Sequence, residues 1–488
     1  MKLLSLLIPI ALAAGPAVAE SQPAAVIEQG IVEVVVTAQR PDARIPWCRE
    51  RPGMRIAYGV VVAPGRVLTT EDTVRNATLV EIRRPGQPAK YTAGIVKADP
   101  RLNTALLSIR AEAAARFTPL AWNGILSRGA KVVLAQFDDA GQLQTGDGRV
   151  TKTAVTTLPS APHAVLTLSV LSDLKLDRIG APVLAGERLA GIAIRYDSAS
   201  QITQVLPATL LKRFCEDAVS PQYRGFASAG LLWSPLVDPV KRGYYGLQDG
   251  TRGVLILRTI PESGSSQALR AGDVILRWDG CDIDSQGYYV DPDYGRLAFP
   301  HLIARRYPGD TVNVTILRDR REISVSVSLD AFDDARALVP MNTEGVPAEY
   351  LVEGGMVLRE LSGDYLTSVG GRWMAVNNPQ LVNLYLTRSQ FPETPGDRVV
   401  LLVGILPDEV NKGYETIRDQ IVTGVNGKPV ASMKDVFAIR RADGGISRVT
   451  LRNMGTDIVL DAQALGPANA RIAGQYRIPS LVLERPAK

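Results

Sequence analysis

Between residues 55 and 215 the apolar positions fall in short β-branched runs, at 59–63, 78–82, 93–97, 105–109, 131–135, 164–168 and 190–195. Turn signals such as Pro64-Gly65, Pro85-Gly86 and Gly146-Asp147-Gly148 separate them. Short apolar runs bounded in this way read as strands. Many such strands in series predict a sandwich or a pair of barrels, and 207–215 closes the region as a short helix. One further β-branched run, Ile31-Val32-Glu33-Val34-Val35-Val36-Thr37-Ala38, stands ahead of it, within a segment, 20–50, that is otherwise poor in core pattern.

A second pattern begins near 222. Residues 253–257 read as a strand, and Ala268-Leu269-Arg270-Ala271-Gly272-Asp273-Val274-Ile275 as a short helix, a glycine turn and a strand that ends in the tight turn Asp279-Gly280. Residues 399–405 and 419–430 repeat the strand-turn-strand form, which predicts a duplicated unit of roughly 100–140 residues, a usual size for one domain. The stretch from 365 to 395 is dotted with aromatics and reads as irregular.

The N-terminus adds a compartment. Met1-Lys2, an apolar stretch over 3–14 and Ala17-Val18-Ala19 before Glu20 have the form of a cleaved secretory signal at 1–19. No later segment offers the ~18 uninterrupted apolar residues of a spanning helix. The expectation is an exported, periplasmic chain without a membrane span, of about three domains. A formal net charge of +5 over 488 residues, with the signs interspersed, argues against nucleic acid as a partner. The three cysteines, Cys48, Cys215 and Cys281, form no C-x-x-C pair, so neither a metal site nor a cofactor is expected. In an oxidising compartment Cys48, ahead of the first domain, and Cys215, at its end, are expected to pair, with Cys281 left as a free thiol.

The order of these units, together with Val240-Lys241-Arg242-Gly243-Tyr244-Tyr245-Gly246-Leu247 followed by Ala271-Gly272-Asp273-Val274-Ile275, resembles the HtrA/Deg family. The insertion over 285–299, Tyr307-Pro308-Gly309-Asp310, Gly413-Tyr414-Glu415 and Asn426-Gly427-Lys428-Pro429-Val430 are similar to its plant-type branch. The resemblance implies a mainly β fold: a trypsin-like double β-barrel over 51–218 after an N-terminal extension (20–50), then two PDZ-like α+β domains at 222–332 and 340–488.

Active members carry the general base in L-T-N-N-H-V-V. The same frame here is Leu68-Thr69-Thr70-Glu71-Asp72-Thr73-Val74, with Asp72 at the histidine position. The motif D-P-x-x-D-L-A-L-L becomes Asp99-Pro100-Arg101-Leu102-Asn103-Thr104-Ala105-Leu106-Leu107, with Asn103 at the orienting aspartate. G-N-S-G-G-P becomes Asp177-Arg178-Ile179-Gly180-Ala181-Pro182, with Ile179 at the serine. An isoleucine has no nucleophilic atom, and an aspartate is too acidic to serve as a base near neutral pH. The bulky and charged Asp177-Arg178-Ile179 also replaces the first half of a loop whose glycines turn backbone N–H groups toward an oxyanion. The chain has two histidines, His163 and His301, neither placed to stand in for the base. Ser172-Asp173-Leu174-Lys175 matches S-x-x-K, the basis of an alternative reading as an active endopeptidase with a non-standard site.

Binding chemistry is expected in the first PDZ-like domain. There the resemblance implies a loop of backbone N–H groups that receives a peptide's C-terminal carboxylate while the peptide adds as a strand. In the loop Tyr244-Tyr245-Gly246-Leu247, Gly246 would permit the turn, Tyr245 and Leu247 would line the pocket, and Lys241 or Arg242 would supply charge. The facing helix is placed at 296–306, with His301 either toward the peptide or on a solvated face. The second PDZ-like domain reads as an assembly or regulatory element. The expected partners are peptide or unfolded-protein clients, further copies of the chain and active relatives. Residues 32–38 also resemble a TonB box, which would offer them to a partner, unless they form a strand of the neighbouring sheet.

Overall fold

The computed structural model describes residues 22–158, 164–247, 252–331, 333–341, 347–440, 445–452 and 454–485. Residues 1–19, read above as a signal, and His163 lie outside the described residues.

Six strands make a first closed barrel: β1 (Ile31–Ala38), β2 (Gly53–Ala63), β3 (Arg66–Thr69), β4 (Ala77–Arg83), β5 (Lys90–Asp99) and β6 (Thr104–Ile109), in the order β1-β2-β3-β6-β5-β4. Strand β1 pairs along its whole length with β2 and over most of it with β4. Its unbroken β-branched run fits this place, because every residue but Thr37 is buried. The run is therefore an interior barrel strand with no free edge for a partner, which removes the TonB-box reading. It also corrects the boundary: 20–50 is not an extension, since the barrel already begins at Ile31.

A second barrel contains β7 (Lys131–Phe137), β8 (Leu143–Thr157), β9 (Ala164–Ser172), β10 (Pro182–Ala185), β11 (Arg188–Asp197) and β12 (Ile202–Pro207), ordered β10-β11-β12-β9-β8-β7. The pair is a trypsin-like double barrel. The helix Ala208–Ala218 follows and buries Leu210, Leu211 and Phe214.

The next unit is an antiparallel sheet of Leu231–Pro235, Val254–Thr259, Val274–Trp278, Thr311–Arg318 and Arg321–Ser328 around buried Trp278 and Phe299. A hairpin, Tyr288–Asp291 with Gly295–Ala298, and the helix Pro300–Ala304 complete it. The last unit is a second antiparallel sheet running from Tyr350–Glu353 to Val482–Leu483. The stretch read as irregular contains three helices here, Gly363–Thr367, Trp373–Val376 and Pro379–Arg388. Side chains of Ser362 and Asn378 cap two of them, and Pro379 opens the third.

The proposed Cys48–Cys215 bridge is absent, and all three cysteines are free. Because the barrel starts at Ile31, Cys48 is not at a domain end but in the β1–β2 connection. That connection docks on the last unit: Trp47 lies 5.9 Å from Tyr350, and Arg359 donates to the Ala43 carbonyl. Cys215 sits on the helix after barrel two, where burial pushes its thiol up to about 12. A thiol reagent should count three thiols in the denatured, unreduced protein. In the native protein exposed Cys48 should react fastest and Cys215 slowest. A count of one would restore the bridge.

Candidate functional site

The first two positions of the serine-protease frame meet directly. The Asp72 N–H donates to Asn103 Oδ1 at 2.9 Å, and Asn103 Nδ2 donates to Asp72 Oδ2 at 2.8 Å. Asn103 adopts a left-handed conformation (φ 52°) between β5 and β6, which asparagine tolerates better than most residues. Arg75 pairs with Asp72 at 3.1 Å and also with Glu71, while Arg55 donates to the carbonyls of Asp72 and Arg75. The Asp72 carboxylate is thus held by an amide and a guanidinium, with no imidazole partner among the described residues.

Ile179 belongs to the other barrel. Its carbonyl accepts a hydrogen bond from Tyr58 N–H of β2 at 2.9 Å. The neighbouring Gly180 has φ +83°, and a Cβ there would come within 2.0 Å of the Tyr58 carbonyl oxygen. Only glycine fits so close an approach. Arg178 reaches across to buried Glu33 of β1, its guanidinium over the Tyr58 ring, and Arg83 holds the same carboxylate. This loop joins the two barrels. Ser172 Oγ donates to the Asp147 carbonyl at 2.8 Å and accepts from Leu174 N–H, so its partners among the described residues are backbone groups.

The expected peptide loop proves to be a helix end. Pro239–Tyr245 is helical, with Pro239 in the first turn, the Asp238 side chain capping Lys241 N–H, and Gly246 closing it in a left-handed cap. Tyr244 is exposed, and Tyr245 and Leu247 pack against the cluster around Leu236, Leu255 and Val274. Arg242 is buried and donates to the Leu236 carbonyl. Tyr245, Leu247 and buried Arg242 therefore pack against the sheet, Lys241 and Tyr244 are exposed on the helix, and none of the six residues from Lys241 to Leu247 named for the loop, Gly246 included, lines the cavity described next.

The groove lies at the other end of the first strand. Among the described residues Leu231–Pro235 pairs on one side only, with Val254–Thr259, which leaves its outer edge without a strand partner. It borders a cavity of about 510 Å³, walled by the loop Ala227 to Gly230, by Leu231 and Leu232 of the strand, and by Pro300, His301 and Ile303 of the facing helix. Val165 and Leu166 of barrel two and Tyr385 to Phe391 of the last unit close the remaining sides. Sequence reasoning missed this loop, although Ser228-Ala229-Gly230-Leu231-Leu232 carries the signal of a glycine between small and apolar residues just ahead of a strand.

The expected helix at 296–306 is shorter, Pro300–Ala304, and it does place His301 on the cavity wall. His301 is buried beside Tyr289 and Tyr294, with Nδ1 unpartnered. Burial lowers its pKa to about 4, outweighing the nearby Asp291 carboxylate, and Arg305 adds to the lowering. The groove is wired to the protease frame. Arg101 lines the cavity, donates to the Phe226 carbonyl at 3.0 Å and clasps buried Asp99 through two nitrogens. Arg213 of the helix after barrel two donates to the carbonyls of Ala304 and Arg306 at the end of the groove helix.

A double barrel with two sheet-and-helix units behind it is the architecture of a known set of proteins, and the comparisons agree. A PDZ-domain family model matches residues 339–482. Protease Do-like 2, chloroplastic, of Arabidopsis thaliana is 25% identical over 457 residues, covering 92% of this chain and 74% of the relative. Over most of its length the chain is similar to proteases of the HtrA/Deg family. A probable periplasmic serine endoprotease DegP-like of Marinomonas sp. is 23% identical over 348 residues, covering 65% of this chain and 70% of the relative. Among solved structures, HtrA-type protease AlgW with decapeptide superimposes with a TM-score of 0.50 at 14% identity, covering 64% of this chain and 98% of that one. That likeness supports the shared fold. Among the described residues no helix is long and apolar enough to cross a membrane.

Proposed function

We propose that this HtrA/Deg protein binds the C-terminal segments of peptides or unfolded proteins in its first PDZ domain and does not hydrolyse them. It would act as a chaperone, adaptor or regulator in protein quality control. The observation that carries the reading is the open edge of Leu231–Pro235 along a cavity of about 510 Å³, faced by the helix Pro300–Ala304. An open strand edge offers unpaired N–H and C=O groups, and a peptide that adds to it gains main-chain hydrogen bonds while its side chains enter the apolar cavity. The cavity volume falls in the range usual for ligand sites, about 300–1,000 Å³.

Hydrolysis is disfavoured by chemistry at three places. Ile179 supplies no nucleophile, Asp72 is paired with Asn103 and Arg75, and the Ile179 carbonyl is bound to Tyr58 N–H. The other reading, an endopeptidase acting through Ser172, needs a base, and the Ser172 hydroxyl is instead engaged with backbone groups. Export to a periplasm is supported by the signal-like pattern of residues 1–19 and by the DegP-like relative from Marinomonas. The family resemblance implies assembly with further copies or with active relatives.

A labelled peptide ending in two apolar residues, titrated as free acid and as C-terminal amide, tests the binding. The acid should bind at least about tenfold more tightly, since hydrogen bonds to a charged group contribute roughly 1.5–3 kcal/mol. Leu231→Asp should weaken the acid by about tenfold or more, because it replaces an apolar wall with a like charge. Absence of binding to the unaltered protein, or indifference to Leu231→Asp, would contradict the assignment.

A further inference from the structure

We propose that Arg388 of the last unit reads the terminal carboxylate of the bound peptide, so that the peptide site of the first PDZ domain is completed by its neighbour. The inference rests on the peptide-binding reading of the groove. Among the described residues, three side chains that can carry positive charge line the cavity: Arg101, His301 and Arg388. Arg101 is already paired through two nitrogens with Asp99, which is buried, and its third nitrogen holds the Phe226 carbonyl. His301 is neutral near physiological pH, since burial lowers its pKa to about 4. Arg388 differs from both.

Arg388 ends the helix Pro379–Arg388, and its Nε–H is buried without a hydrogen-bond partner. A buried donor left unpaired costs roughly 1–3 kcal/mol, so an acceptor that reaches it is favoured by that amount. Its Nη2 donates to Glu393 at 2.6 Å, but that carboxylate is 76% exposed. Such an exposed pair is worth little and exchanges readily for a ligand carboxylate. Position agrees with charge. Gln390, two residues on, shares a smaller recess with Ser228, Gly230 and Ile260, which places this segment against the loop ahead of the open strand. The acids on that side are engaged: Asp330 accepts from Gly264 N–H and Asp333 from Ala335 N–H. A guanidinium with a free Nε–H beside the other nitrogen is suited to bidentate capture of a carboxylate.

The same acid and amide peptides test the proposal on the full chain. Arg388→Gln should weaken the acid about tenfold and leave the amide unchanged, so that the ratio between them collapses. Arg388→Lys should fall between the two, because it keeps the charge but not the fork. Glu393→Gln should strengthen the acid two- to threefold, on the order of what an exposed competing pair contributes. A merely structural role would not produce this opposite sign. An unchanged acid-to-amide ratio in Arg388→Gln overturns the proposal and leaves peptide binding intact, as does equal weakening of both peptides. Equal binding of acid and amide by the unaltered chain removes carboxylate reading altogether, and Arg388 with it.

Discussion

Replacing Arg101 with alanine will destabilise the protein by about 3–5 kcal/mol, the usual cost of breaking a buried ion pair from one side. The Asp99 side chain is 2% exposed and that of Arg101 is 15% exposed. Burial alone would push the Asp99 carboxyl up, but Arg101 and the Tyr223 hydroxyl outweigh it and hold Asp99 below the usual carboxylate range. Without the guanidinium, Asp99 must be protonated or left charged and unpaired in the interior. The substitution also releases the Phe226 carbonyl beside the groove, so peptide affinity should fall together with stability. The sign with pH follows from the depressed pKa. The contribution of Asp99 is present above its unfolded value, about 3.9, and fades as the pH falls through the lower folded value. Urea unfolding of wild type and Arg101→Ala at pH 7 checks the claim. A shift in stability under about 1 kcal/mol would show that the pair does not hold the junction.

The second large effect belongs to His301. Its folded pKa of about 4 lies below the ordinary imidazole value of 6.5. The unfolded chain therefore binds a proton that the folded chain refuses between those two values, and stability rises with pH across that window. Read downward, the neutral form's advantage is complete above pH 6.5 and is lost as the pH falls toward 4. At 1.36 kcal/mol per pKa unit the loss is about 3 kcal/mol. The groups that face the ring are Asp291, which favours the charged form, Arg305, which opposes it, and the rings of Tyr289 and Tyr294. Comparing His301→Phe with wild type at pH 7 and pH 4.5 isolates the histidine, because Asp291 and Asp99 titrate in both proteins. The variant should show the shallower decline. Parallel declines would mean that His301 is not the group refusing the proton.

Both effects arise where the sequence was hardest to read. The strands of the two barrels were legible because each is a short β-branched run closed by a turn, and the positions of Asp72, Asn103 and Ile179 were legible because each lies in a local frame. Strand β1 was placed outside the domain because a continuous apolar run carries no sign of what it pairs with. Its partners come from 53–63 and 77–83. The groove was misplaced because Lys241-Arg242 and Tyr244-Tyr245-Gly246 have the look of a binding loop. Yet Asp238-Pro239 ahead and Gly246 behind are helix punctuation, and they decide the local structure. The helices within 365–395 were likewise announced by Asn378-Pro379 and passed over. Other features had no local signal at all. Arg178 meets Glu33 across 145 residues and Arg101 meets Phe226 across 125. Only the folded chain brings such pairs together.

Peptide capture without cleavage is the core of this account, and hydrolysis of fluorogenic casein by the purified protein tests it most directly. The account predicts no release of fluorescence above the buffer rate, while the labelled free-acid peptide remains bound and is recovered intact. Robust turnover abolished by Ser172→Ala would contradict it.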